Sequence, residues 1–180
     1  GNGKRIAFTA PAEQMTIERL TLDPVTQQGV GLPVVIRRSS TSFEDLAISP
    51  NDETLATHTV GRKENLCLVA VDGQKLHGVT DDQFRNRAPV FAAKGTRLVF
   101  YSDRGGDYGV YSIATDGSGL WPLLPTGSPY YRRPTPSPDG RFLAVGSPVA
   151  SRVAVLPLAA GIGGALSAGA QVLFEFDSRW

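Results

Sequence analysis

Four stretches of the chain alternate apolar and polar side chains: TIERLTLD (16–23), NLCLVAVD (65–72), GVYSIATD (109–116) and RVAVLPLA (152–159). A period of two residues marks a strand with one face buried. Each stretch follows another apolar run, in order RIAFTA, ETLATHTV, TRLVFYSD and RFLAVGS. Each precedes a weaker one: LPVVI, KLHGVT, LWPLL and QVLFEF. Asp72-Gly73 and Asp116-Gly117 end two of the alternating strands, and Asp-Gly supplies the positive φ of a tight hairpin. The pattern predicts short antiparallel strands.

Each apolar run is entered through a turn. Ser137-Pro138-Asp139-Gly140 precedes RFLAV, Ser49-Pro50-Asn51-Asp52 precedes ETLA, Ala93-Lys94-Gly95 precedes TRLVF, and Gly1-Asn2-Gly3 precedes KRIAF. Proline presets φ for the second turn position, Asp or Asn bonds back to the backbone, and glycine takes the left-handed conformation without steric cost. Gly3, Asp52, Gly95 and Gly140 stand 49, 43 and 45 residues apart. A period in the forties with four strand signals inside it predicts β-propeller blades. The expected fold is all-β: about four antiparallel four-stranded blades, in one domain over 1–180. The repeat units run approximately 1–48, 49–91, 92–136 and 137–180. The expected core includes Ile6, Phe8, Leu55, Leu66, Leu98, Phe100, Tyr111, Phe142, Val153 and Val155.

The ends of the chain leave two readings open. Trp180 stands 44 residues after Pro136, where an inner strand precedes its turn, and the chain starts at such a turn. Residues 177–180 then either close a four-bladed ring by pairing with the first unit, or belong to a slice of a larger propeller.

Composition narrows the partners. The formal net charge is +1, so no large field favours nucleic acid or an anionic membrane. Cys67 is the single cysteine, which excludes an intrachain disulfide and a cysteine-cluster metal site. GNGKRIAFTA reads as a strand entry rather than a secretory signal. The uncharged run Val153–Phe174 is long enough for a bilayer, but its proline, glycines and alanines read as strand, loop and strand. Membrane insertion by this segment is not expected.

Residues 89–117, PVFAAKGTRLVFYSDRGGDYGVYSIATDG, resemble the TolB-type, WD-like propeller repeat. They keep Ser102-Asp103-Arg104-Gly105 and Asp116-Gly117 but put Ala-Ala-Lys-Gly in place of SPDG. Residues 133–158 keep SPDG and lose the SDR-G hairpin; residues 44–73 keep SPN and Asp-Gly, with Gly61-Arg62-Lys63 at the hairpin. The resemblance covers essentially the whole chain and rests on turn chemistry, so it speaks to fold more than to function. It implies a bacterial, periplasmic or extracytoplasmic interaction or sensor module that binds a protein or peptide at the channel mouth, without a cofactor.

Catalytic constellations are not found. There is no G-x-S-x-G, so a hydrolase nucleophile elbow is absent. His58 and His77 lie in different strands without a carboxylate pair at ligand spacing, so no metal site is assigned. Asp103 and Asp107 flank Gly105-Gly106; a hairpin in which Asp103 accepts backbone N–H bonds outweighs a calcium site. Ala93-Lys94-Gly95-Thr96 lacks the upstream glycine and the helix of a phosphate loop.

The segments leading into the inner strands carry the binding-type residues. Tyr130, Tyr131, Arg132 and Arg133 form one group and Phe84, Arg85 and Arg87 the other. Aromatic residues with arginine make interface anchors. The corresponding segments are Ser39–Asp45 and Glu175–Asp177. By position, Glu44, Arg87 and Arg132 correspond, as do Asp45, Arg133 and Asp177, giving a mouth of mixed charge suited to a protein or peptide. The first expectation is therefore a non-catalytic binding propeller. The alternative is the propeller of an enzyme, either the gate of a serine peptidase or a polysaccharide lyase, with its catalytic part outside this chain.

Overall fold

The computed structural model describes residues 15–124, 132–137, 139, 141–147, 152–157 and 175–177. The chain divides into two compact units, Gly1–Ser42 and Phe43–Trp180. In the first, β1 (Met15–Leu22) pairs antiparallel with β2 (Gly29–Ser39). Asp23 closes their turn by accepting the N–H groups of Val25 and Thr26 at 2.9 and 2.7 Å.

The second unit holds three four-stranded antiparallel sheets, each ordered as the chain runs. The first blade is β3 (Ser42–Ile48), β4 (Thr54–Val60), β5 (Leu66–Ala70) and β6 (Leu76–Gly78). The second is β7 (Asn86–Ala92), β8 (Arg97–Ser102), β9 (Gly109–Ala114) and β10 (Trp121–Pro122). The third is β11 (Arg132–Pro136), β12 (Phe142–Ser147), β13 (Arg152–Pro157) and β14 (Glu175–Asp177). Strand β7 packs on β4 and β5 of the preceding blade, and β11 packs on β8 and β9. That arrangement is the propeller layout expected from the repeat.

The turns work as their residues dictate. In the first blade Ser49 Oγ accepts the Thr54 N–H at 2.9 Å and donates to Asn51 at 2.7 Å. In the third, Ser137 Oγ accepts the Phe142 N–H at 3.0 Å and donates to Asp139 at 2.6 Å. The second blade lacks both side chains, and Ala93, Lys94 and Gly95 turn the chain with φ of 48°, 56° and 90°. Gly117 (φ 86°) is required twice over: a Cβ there would also stand 2.8 Å from the Val79 carbonyl oxygen.

Two cores lie between blades. Ala56, Leu66, Val79, Leu98, Phe100, Tyr111 and Ile113 fill the first junction. Ala92, Val99, Val110, Leu123, Leu143, Val145, Ala154 and Leu156 fill the second. The expected core is corrected in part. Leu66, Leu98, Phe100 and Tyr111 are buried, but Leu55, Phe142 and Val155 are only partly so and Val153 is 39 % exposed. In the third blade the residues of the other parity face the second blade. Ile6 and Phe8, and residues 178–180, expected as an inner strand, lie outside the described residues.

Candidate functional site

Each inner strand begins with the same irregularity. Asp45, Ala88 and Arg133 adopt φ of 52°, 48° and 51°. The pairing of β7 with β8 slips between Arg87 and Val90, and that of β11 with β12 between Arg132 and Thr135. A bulge of this kind re-aims side chains beside a functional site. It sets Glu44, Arg87 and Arg132 at equivalent places, as their spacing implies. Asp177 does not join the second set: it lies in outer strand β14, opposite Arg152. Residues 175–177 form the outer strand of the third sheet.

The linker between the first two blades is fixed from both sides. Asn65 Oδ1 accepts from the Thr80 hydroxyl at 3.0 Å and the Asp82 N–H at 3.2 Å. Asn86, fully buried, donates its amide N–H to Glu64 C=O at 2.8 Å and its side chain to Asp82 at 2.9 Å. From the other side Asp103 Oδ1 accepts the Arg85 N–H at 2.8 Å. Asp103 thus accepts a backbone N–H as its hairpin position suggested, but the donor belongs to the linker. Arg104 donates to Asn86 Oδ1 at 2.6 Å, Asp82 Oδ2 at 3.0 Å and Ser102 Oγ at 3.2 Å. Its guanidinium lies 5.3 Å from the Phe84 ring centre and 5.3 Å from that of Tyr111. The Ser-Asp-Arg run is therefore a lock on the linker.

A second device joins successive blades. Glu64, at the hairpin before β5, binds Arg87 of the next inner strand through both carboxylate oxygens, one at 2.7 Å. Tyr108, at the same place before β9, has the Arg132 guanidinium 4.8 Å from its ring centre. The Arg87 hydrogen bond holds the Glu64 carboxyl below its ordinary range, against the opposing effect of burial. His58 is buried between these groups, with Nε2 4.0 Å from the Glu44 carboxylate and no hydrogen-bond partner at Nδ1. Burial pushes its pKa down; Asp45, Glu44 and Glu64 pull it up, while Arg87 pushes it down.

The sequence-selected residues thus separate. Arg87 is held by Glu64 and Arg132 covers Tyr108, while Phe84 lies beside Arg104. Arg85 has an exposed side chain with its backbone pinned, and Arg133 is exposed beside Asp45. Tyr130 and Tyr131 lie outside the described residues. Sequence reasoning missed Glu64, Tyr108, Asn86 and Asp45 as partners. The signal for the first two was their shared place just before the alternating strand. Among the described residues no three His, Cys, Asp or Glu side chains are grouped to hold a metal ion, and no helix is long and apolar enough to cross a membrane.

Inner strands packed in series on the preceding blade define the class, a β-propeller. Comparison with known proteins agrees. No protein-family model matches the chain, and no curated protein does. The structure of TolB from Acinetobacter baumannii matches with a TM-score of 0.62 at 18 % identity, over 82 % of this chain and 39 % of that one. A nidogen/laminin complex matches at 0.59 and 17 % identity, over 71 % of this chain and 49 % of that one. Oligogalacturonate lyase in complex with manganese matches at 0.57 and 17 % identity, over 76 % and 38 %. The chain spans well under half the length of that TolB. Its fold is that of the TolB-like β-propellers, and three different proteins on one fold leave function to the site.

Proposed function

We propose that this chain is a non-catalytic propeller module that binds a protein or peptide at the entry end of its inner strands. Arg85 and Arg133, exposed, are the accessible side chains of that surface, with Phe84, Arg87 and Arg132 behind them, and Tyr130 and Tyr131, outside the described residues, are carried over from the sequence. The observation that carries this reading is the locked linker: Asn65, Asp103 and Arg104 hold residues 80–87 so that Arg85 projects from a fixed backbone. A side chain presented on an ordered loop binds without the cost of ordering that loop. The nidogen/laminin neighbour supports the reading, since a chain with this fold is there part of a protein complex.

The test is panning of a random peptide library against the 180-residue chain. Selected peptides are then titrated into Arg85→Ala and Tyr131→Ala. At least about a tenfold loss of affinity with an unchanged melting curve is expected. Equal affinity for the parent and both variants would sink the proposal. The lyase alternative draws on fold alone: His58 is buried and His77 lies on outer strand β6.

A further inference from the structure

The three positive-φ positions of the inner strands carry an acid, a blank and a base. Asp45, Ala88 and Arg133 share a φ near +50°, 43 and 45 residues apart. Alanine leaves the middle position open. The outer two side chains meet across it, Arg133 Nη1 lying 3.4 Å from Asp45 Oδ1. Beside the pair is a cavity of about 260 Å³, walled by Leu46, Ala88, Pro89, Val90 and Pro134. Leu46 is 55 % exposed although it lies on an inner strand.

This ion pair differs from the Glu64–Arg87 pair nearby. Glu64 is buried and doubly bonded. Arg133 makes one long contact and its side chain is 75 % exposed. A guanidinium has five N–H donors and a carboxylate two acceptor oxygens, so both groups keep free valence. An exposed pair of this length is weak, and a ligand meets little resistance in joining it.

Three features select the ligand. The pair is neutral overall, so a lone anion or cation gains from one partner and is repelled by the other. A molecule with a carboxylate and an ammonium side by side instead completes a ring of four charges alternating in sign. The cavity is below the roughly 300–1,000 Å³ of drug-sized sites, which suits one residue rather than a peptide segment. Pro89 and Pro134 lack N–H donors, so an extended chain gains no complete ladder on this edge. The apolar wall then favours an aliphatic side chain.

We propose that the cavity between the three inner strands is a binding site for a free aliphatic α-amino acid of the leucine type. Arg133 takes its carboxylate, Asp45 its ammonium, and Leu46, Pro89, Val90 and Pro134 its side chain. The site shares Arg133 with the proposed protein-binding surface but does not include Arg85, so loss of leucine binding and loss of the Arg85→Ala effect on peptide affinity are read separately.

The experiment is calorimetric titration of the 180-residue chain with L-leucine, N-acetyl-L-leucine and L-leucinamide. Saturable leucine binding is expected, with each blocked analogue at least about tenfold weaker. Arg133→Gln should weaken leucine and erase its advantage over leucinamide; Asp45→Asn should erase its advantage over N-acetyl-leucine. The comparison of the three ligands on the parent chain needs no variant to fold. No saturable leucine binding overturns the proposal. So does N-acetyl-leucine binding as well as leucine, which would make Arg133 a reader of peptide C-termini, or leucinamide doing so, which would leave Asp45 reading amines alone.

Discussion

The two blade junctions place different chemistry at the same positions. Before β5 stands Glu64, before β9 Tyr108; each reaches an arginine at the equivalent place on the next inner strand. Beneath the first clasp lies buried His58, and beneath the second buried Tyr101, at corresponding points of β4 and β8. The repeat therefore keeps a geometry and lets the interaction vary. One junction is ionic, with a buried carboxylate and imidazole. The other is a cation on an aromatic face, above a Tyr101 phenol whose pKa burial raises. The first should respond to acid and the second should not.

The largest effect is expected at the lock beside the ionic junction. Arg104→Ala leaves Asn86 and Asp82 without their strongest donor and should lower stability by about 3 kcal/mol in urea unfolding. Arg104→Lys should recover less than half, because one ammonium lacks the planar fork that spans Asp82, Asn86 and Ser102. A loss under about 1 kcal/mol would show that the linker stands without the lock.

Glu64→Gln comes next, at about 2 kcal/mol near neutral pH. Its carboxyl is held low in the folded chain, so its contribution is present above the unfolded value and lost as pH falls through the folded one. The variant should therefore flatten the acid limb of the stability profile. An unchanged limb would place that acid sensitivity elsewhere.

His58 acts in the same direction at higher pH. Burial lowers its pKa, so the unfolded chain binds the extra proton first, and stability falls as pH drops below about 6.5. His58→Tyr, which copies Tyr101, should remove that part of the pH dependence. Melting temperatures from pH 5 to 8, a range set by the histidine titration, would decide it.

The aromatic clasp should be worth less. Tyr108→Leu is expected to cost about 1 kcal/mol with no new pH dependence. A loss equal to that of Glu64→Gln would mean that the two junctions do not differ in kind.

The strands, their order and their turns were legible because each depends on local spacing. Alternation over 65–72 and 109–116, Asp-Gly after the alternating strands and the SPDG-like turns all act within a few residues. The third-blade core was misassigned for a physical reason. RFLAV and RVAVLP are apolar at both parities, since a blade packs on two faces, and sequence alone does not say which face meets the described neighbour. Arg87 and Arg132 stand out in the sequence as side chains at equivalent positions, but their partners stand 23 and 24 residues away on the preceding hairpin.

The sequence by itself determined a repeat of four strands with a period in the forties, and hence a propeller. Periodicity and turn chemistry are properties of neighbours along the chain. Only the tertiary structure decided which arginines are clasped and which stay exposed, and that Asp45 meets Arg133 over Ala88. Those outcomes depend on how one blade stacks on the next, where residues far apart in sequence compete for the same few ångströms.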